Sequence, residues 1–228
     1  MNKLLFIVFA AFSAACSDTT PLPADPQATP ETQALYRNLF RIADEGVMFG
    51  HQDDALYGHD WKYEEGRSDV RECCGGYPAV FGWELGGLET GADRSIDDVP
   101  FAEITRLLCA AYGRGAVNTV SWHPQNPESG ASAWDGKTST AVSSILPGGA
   151  NHAQFRLWLD RLAGFFVGLK SADGTCVPVL FRPFHEHTGS GFWWGEAQCT
   201  PDEYKALWRF TVEYLRDVKG VHNLLYVY

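Results

Sequence analysis

The feature that most restricts this chain's fold is a repeated beat of short apolar runs and longer amphipathic ones. The short runs are strand-like and end in polar or aromatic residues: 47–51, 79–85, 116–123, 177–184 and 224–228. Helical periodicity marks 31–45 and the stretches near 98–113, 151–170 and 201–219. The last helix has a clear start signal, with Thr200 as N-cap, Pro201 in the first turn and Glu203 three residues after the cap. Residues 53–76 are polar and read as a helix or mostly loop. Strand alternating with helix implies α/β architecture on a parallel sheet, either open and doubly wound or closed as a (β/α)8 TIM barrel. No Gly-x-Gly-x-x-Gly follows a strand, which disfavours a dinucleotide-binding sheet. Four strand ends carry His, Trp or Glu: Gly50-His51-Gln52, Gly82-Trp83-Glu84, Ser121-Trp122-His123 and Arg182-Pro183-Phe184-His185-Glu186. Barrel enzymes gather their chemistry at that end of their strands, so the barrel is the expected fold. Only about five β/α units are visible, and the expectation is a barrel cut after its fifth strand.

Composition narrows the ligand. A net charge of −10 repels polyanions and excludes nucleic acid as a natural partner. Eight tryptophans fit either an aromatic core or a cleft in which indoles stack on sugar rings. No cofactor is expected.

The N-terminus reads as a targeting segment. Lys3 precedes the apolar stretch 4–12, and the small residues Ser13, Ala14 and Ala15 lead to Cys16. The stretch is too short to span a bilayer. The expected organisation is a lipoprotein-type signal peptide over 1–16, lipidated at Cys16, then a flexible tether over 17–30 and a catalytic domain over 31–228. Ser13 stands where lipoprotein signals usually have Leu. The expected location is the outer membrane or cell surface through that anchor, otherwise the periplasm or medium, and the expected state is a monomer. Export permits disulfides. Without Cys16, five cysteines remain, an odd number; Cys176 and Cys199 bracket the segment of greatest interest and could staple it.

That segment, 182–195, reads RPFHEHTGSGFWWG. Glu186 ends an apolar strand, and Phe192, Trp193 and Trp194 follow closely. A carboxyl desolvated by indoles has a raised pKa, which suits a general acid that protonates a glycosidic oxygen. A metal site is the competing reading. His185 and His187 would share one strand face, and His123 and His51 could complete the set, but no aspartate ligand stands at a later strand end.

Arg182–Glu186 followed by Phe192-Trp193-Trp194-Gly195 resembles the acid/base motif of glycoside hydrolase family 26, mostly β-mannanases. Phe49-Gly50-His51-Gln52, Gly82-Trp83-Glu84 and Ser121-Trp122-His123-Pro124 agree in order with that family's first three strand ends. The resemblance covers about 31–228 and implies a (β/α)8 barrel that cleaves a β-linked polysaccharide with retention. It implies Glu186 as acid/base and a second Glu, on the seventh strand, as nucleophile. His123, His185 and Trp194 match positions that hold sugar, Trp122, Arg182 and Phe184 match supporting positions, and His51 and Trp83 match more weakly. His187 departs from the family pattern. Glu84 is the other carboxylate at a strand end, two strands from Glu186. β-Xylanase or β-glucanase specificity, and a non-catalytic carbohydrate-binding lipoprotein, are the alternatives.

Overall fold

A computed structural model describes residues 21–228. Helix α1 (Pro30–Glu45) leads into β1 (Gly50–Gln52), and a small hairpin of β2 (Tyr57–Gly58) and β3 (Trp61–Lys62) follows. Then come α2 (Asp69–Cys74), β4 (Val80–Glu84), α3 (Phe101–Gly113), β5 (Val117–Trp122), α4 (Ala141–Ile145) and α5 (His152–Gly168). The chain continues through β6 (Val179–Pro183) and α6 (Pro201–Glu213), widens into a π turn at Tyr214–Val218, and enters β7 (Leu224–Tyr226). Strands β1, β4, β5, β6 and β7 form one parallel sheet in that order, each pair joined by a crossover. These are four β/α units and the strand of a fifth, the arrangement of a partial (β/α)8 barrel, and β1 and β7 form the sheet's two edges.

Local chemistry sets the helix boundaries. Thr29 caps α1 by accepting the Thr32 N–H, Pro30 opens it, and Gly46 ends it. The reciprocal capping box of Thr200 and Glu203 forms at α6. The first strand is shorter than its apolar run, because Val47 and Phe49 are exposed and pairing starts at Gly50. The polar stretch before β4 holds the hairpin and α2 rather than one long helix or open loop.

Register decides which side chains face the barrel axis. Gln52, Gly82 and Thr119 lie in one row, and Glu84, Ser121 and Arg182 in the next. Alternation then puts Phe81, Trp83, Val120, Trp122 and Phe181 on the opposite, helix-facing side. There Trp122 stacks on Phe155 of α5 with ring centroids 6.5 Å apart, and Phe181 meets Phe166 edge-on at 4.9 Å. Trp83 stacks on Phe81 and donates its indole N–H to Asn118, whose amide donates to the Leu108 carbonyl of α3. Much of the tryptophan content is thus core.

The signal segment and Cys16 lie outside the described residues. Part of the expected tether is held: Asp25 is 2% exposed, accepts from His222 at 2.8 Å, and Ala28 is buried beside it. The cysteines of the described residues are free. Cys176 contacts Lys170 Nζ at 2.6 Å while Cys199 faces the Trp194 carbonyl, so the staple between them does not form.

Candidate active site

Strand β6 ends in a backbone that ordinary residues avoid. Phe184 and Glu186 have φ of 51° and 56°, the left-handed region, which costs a non-glycine residue about 1 kcal/mol or more. Three successive carbonyls are held in place. Tyr204 of α6 donates its hydroxyl to Phe184 O at 2.6 Å, the Trp194 indole donates to His185 O at 2.8 Å, and Gly189 N–H donates to Glu186 O at 3.0 Å. Trp193 ties the same loop to the end of β5 through Pro124 O at 2.9 Å. Gly195 is required here because a Cβ would run into the Gly189 carbonyl. The two tryptophans are fully buried under the strand end and leave Glu186 exposed. The desolvation expected from them is therefore not present; the indoles support the acid from beneath and do not cover it.

Beside it, Glu84 is buried and meets four donors. Its Oε1 accepts from Gly86 N at 2.5 Å and His123 N at 2.9 Å. Its Oε2 accepts from Ser121 Oγ at 2.5 Å and lies 2.8 Å from His123 Nδ1. Burial pushes this carboxyl up, but the hydrogen bond and charge of His123, with Ser121 and Gly86, outweigh it and hold it below its ordinary value. An ionised Glu84 assigns the Nδ1 proton to His123, which leaves Nε2 free to face a ligand. The His123 ring lies flat against Trp134, with centroids 5.2 Å apart, and edge-on to His185 at 4.5 Å. Trp134 is 55% exposed, so its ring is open to a sugar face. Burial pushes His185 below the usual imidazole range, and the nearby His123 and Arg182 charges add to this.

The structure sorts the expected residues into three groups. Glu186, His123 and His185 meet at one rim, the C-terminal ends of β5 and β6. Trp194 and Phe184 are buried supports there. Arg182 points inward, and no carboxylate forms an ion pair with it among the described residues. Trp83 and Trp122 are fully buried on the helix side, so neither reaches a glycan; Trp122 instead donates to Glu89 at 3.1 Å. His51 shares that outward parity and sits 3.4 Å from Asp54, away from the axis. His187 turns from His185 to stack on Tyr204 and bond Tyr228, which removes the shared face the metal reading needed. Sequence reasoning missed Trp134, which lies in a loop with no periodicity. It also missed Glu89, whose buried carboxylate gathers Trp122, Gly87 N–H and Gln125 N–H.

The family model for glycosyl hydrolase family 26 matches residues 24–228. The chain belongs to glycosyl hydrolase family 26. A mannan endo-1,4-β-mannosidase of Bifidobacterium adolescentis is 40% identical over 90% of this chain, which corresponds to 20% of that protein. The family 26 β-mannanase structure from Bacteroides ovatus superposes with a TM-score of 0.85 at 46% identity, covering 87% of this chain and 57% of that one. The modular endo-β-1,4-mannanase of Cellulomonas fimi superposes at 0.82 with 40% identity, covering 90% of this chain and 46% of that one. The chain thus spans between a fifth and somewhat over half the length of these family 26 relatives.

Glu84 offers a direct check on the rim. Glu84→Gln must turn an amide N–H toward a donor it now accepts from, so the His123 tautomer loses its anchor. The ¹⁵N signals of His123 should shift away from a pure Nδ1–H form. An unchanged tautomer would show that Glu84 is only a packing group.

Proposed function

We propose that the chain carries the acid/base portion of an endo-acting, retaining β-1,4-mannan hydrolase, with Glu186 as the acid/base. The observation that supports this best is the presentation of Glu186: an exposed carboxyl on a strained, thrice-anchored strand end beside a His123–Trp134 platform. The relatives' names as mannan endo-1,4-β-mannosidases support the substrate class. Trp134 would stack on a pyranose face, and His123 Nε2 would accept from a sugar hydroxyl. Glu186 would protonate the leaving oxygen and then take a proton from water as the glycosyl-enzyme is hydrolysed.

Retention needs a second carboxylate about 5–5.5 Å from the first. Glu84 is a poor candidate, since its oxygens already meet four donors. The nucleophile is therefore assigned to polypeptide outside the five strands described here, as the family resemblance implies. Arg182, inward-facing and without a carboxylate partner, is positioned to keep such a group ionised. The saturated Glu84 also favours one alternative, a rim that binds β-mannan without cutting it. We further propose export, with lipidation at Cys16.

The test uses a form of the protein that joins this chain to the polypeptide supplying the nucleophile: hydrolysis of β-mannan, glucomannan, xylan and mixed-linkage glucan, followed by viscosity and by ¹H NMR of the first products. A rapid fall in mannan viscosity with β-anomeric ends appearing first is the expected result. Turnover of xylan or glucan but not mannan would remove the substrate assignment. Mannan affinity without new chain ends would favour the binding alternative.

A further inference from the structure

The N-terminal segment is strapped to the barrel at the end opposite the rim. The Asp25 carboxylate takes His222 Nδ1 at 2.8 Å and the Gln27 N–H at 2.8 Å. Arg216 donates to Ala24 O at 3.1 Å, and Thr29 N–H donates to His222 O at 2.9 Å. His222 and Asn223 immediately precede β7, and Asn223 O accepts from Val179, the first residue of β6. The strap therefore sits at the N-terminal ends of β6 and β7, whereas His123, His185 and Glu186 sit past the C-terminal ends of β5 and β6.

We infer that this strap fixes how the protein faces a lipid surface: with the chain anchored at Cys16, the strap face stays by the membrane and the glycan rim cannot be pressed against it. The inference rests on the lipid-anchor reading above. Nine residue steps separate Cys16 from Asp25. Fully extended they reach at most about 30 Å. A body of about 200 residues is on the order of 40 Å across. Turning the rim toward the bilayer would lift the strap about that far from the surface, beyond the tether's reach. The allowed poses leave the cleft pointing outward or sideways, where a polymer too large to pass beneath the protein can thread across it. Without the strap the leash would begin near Thr29 and gain roughly 13 Å, enough to permit inversion.

The experiment uses the full chain, matured in bacterial membranes and reconstituted into phosphatidylcholine vesicles with quencher-labelled headgroups. A fluorescent amino acid replaces Gly113, at the end of α3 on the strap side, or Gly191, in the rim loop; a side chain at either position meets open space. Quenching at 113 should exceed that at 191 by about threefold or more, and inserting about twenty Gly/Ser residues after Asp18 should erase the difference. Mass spectrometry of the N-terminal peptide reports the anchor separately. Absence of the lipid mass, or vesicle binding retained by Cys16→Ser, removes the anchor reading and this inference with it. Lipidated protein with equal quenching at both positions overturns the orientation alone.

Discussion

Replacing Glu186 with alanine is expected to lower hydrolysis of unactivated β-mannan by roughly 10²–10⁴-fold, the scale of general acid–base catalysis. That corresponds to about 3–5 kcal/mol of transition-state stabilisation. The loss should depend on the leaving group. An aryl mannoside with an acidic phenol departs with little proton assistance, so formation of the glycosyl-enzyme should suffer less than with mannan. Its hydrolysis should still slow, because the same carboxyl then activates water. Azide should restore turnover of the aryl substrate and give the β-azide, since a small anion attacks without a base. These measurements need a form of the protein that turns over mannan. Within it, a Glu186→Ala rate within about threefold of wild type would exclude Glu186 as the acid/base. The exposure of Glu186 adds a second expectation. Bound sugar, rather than the neighbouring indoles, must exclude water from this carboxyl. Trp134→Ala, which opens the platform on which that sugar would rest, should therefore weaken mannan turnover without changing the melting temperature appreciably.

Parts of this arrangement were legible in the sequence because they depend on local pattern. The strand–helix beat, the Thr200 capping box and the placement of Glu186 at a strand end follow from periodicity and caps, which neighbours along the chain decide. The errors arise where a distant partner decides. Trp122, a match to a supporting position, and Trp83, a weaker match, each flank a rim residue, His123 or Glu84, and so read as site residues. A strand alternates faces, however, and the pairing of Glu84 with Ser121 sends both indoles to the helices. Trp193 and Trp194 lie close to Glu186 in sequence, yet their N–H groups reach the carbonyls of Pro124 and His185, which draws the rings beneath the acid. Glu84 could be weighed only as a distant substitute nucleophile, because three of its four donors come from β5 and its end, more than 30 residues away, and the fourth from the turn at Gly86. Asp25 read as tether because its partner, His222, lies at the far end of the chain.

The other large effect concerns stability and involves Asp53, just past β1. Asp53 is 1% exposed; its Oδ2 accepts from the Tyr57 hydroxyl at 3.2 Å and its Oδ1 has no donor. Burial pushes its carboxyl up to about 7, the negative charges of Asp97 and Glu84 add to this, and hydrogen bonds from Tyr57 and Gln52 oppose it. The folded state therefore binds this proton more tightly than the unfolded chain, whose Asp titrates near 3.8. The sign follows from linkage: stability is fully present below the unfolded value and declines as pH rises from about 4 to about 7. The loss is at most about 4 kcal/mol, at about 1.36 kcal/mol for each unit of separation. Asp53→Asn removes the titration. Its amide oxygen can keep the Tyr57 hydrogen bond while its N–H₂ faces the acidic neighbours. At pH 4 variant and wild type should unfold at similar temperatures, and by pH 8 the variant should be the more stable by a margin approaching that figure. At roughly 2–4 °C per kcal/mol for a domain of this size, the gap should approach ten degrees. A difference that stays constant between pH 4 and pH 8 would mean that Asp53 is ionised throughout, with a cation or ordered water serving the oxygen that here has no donor.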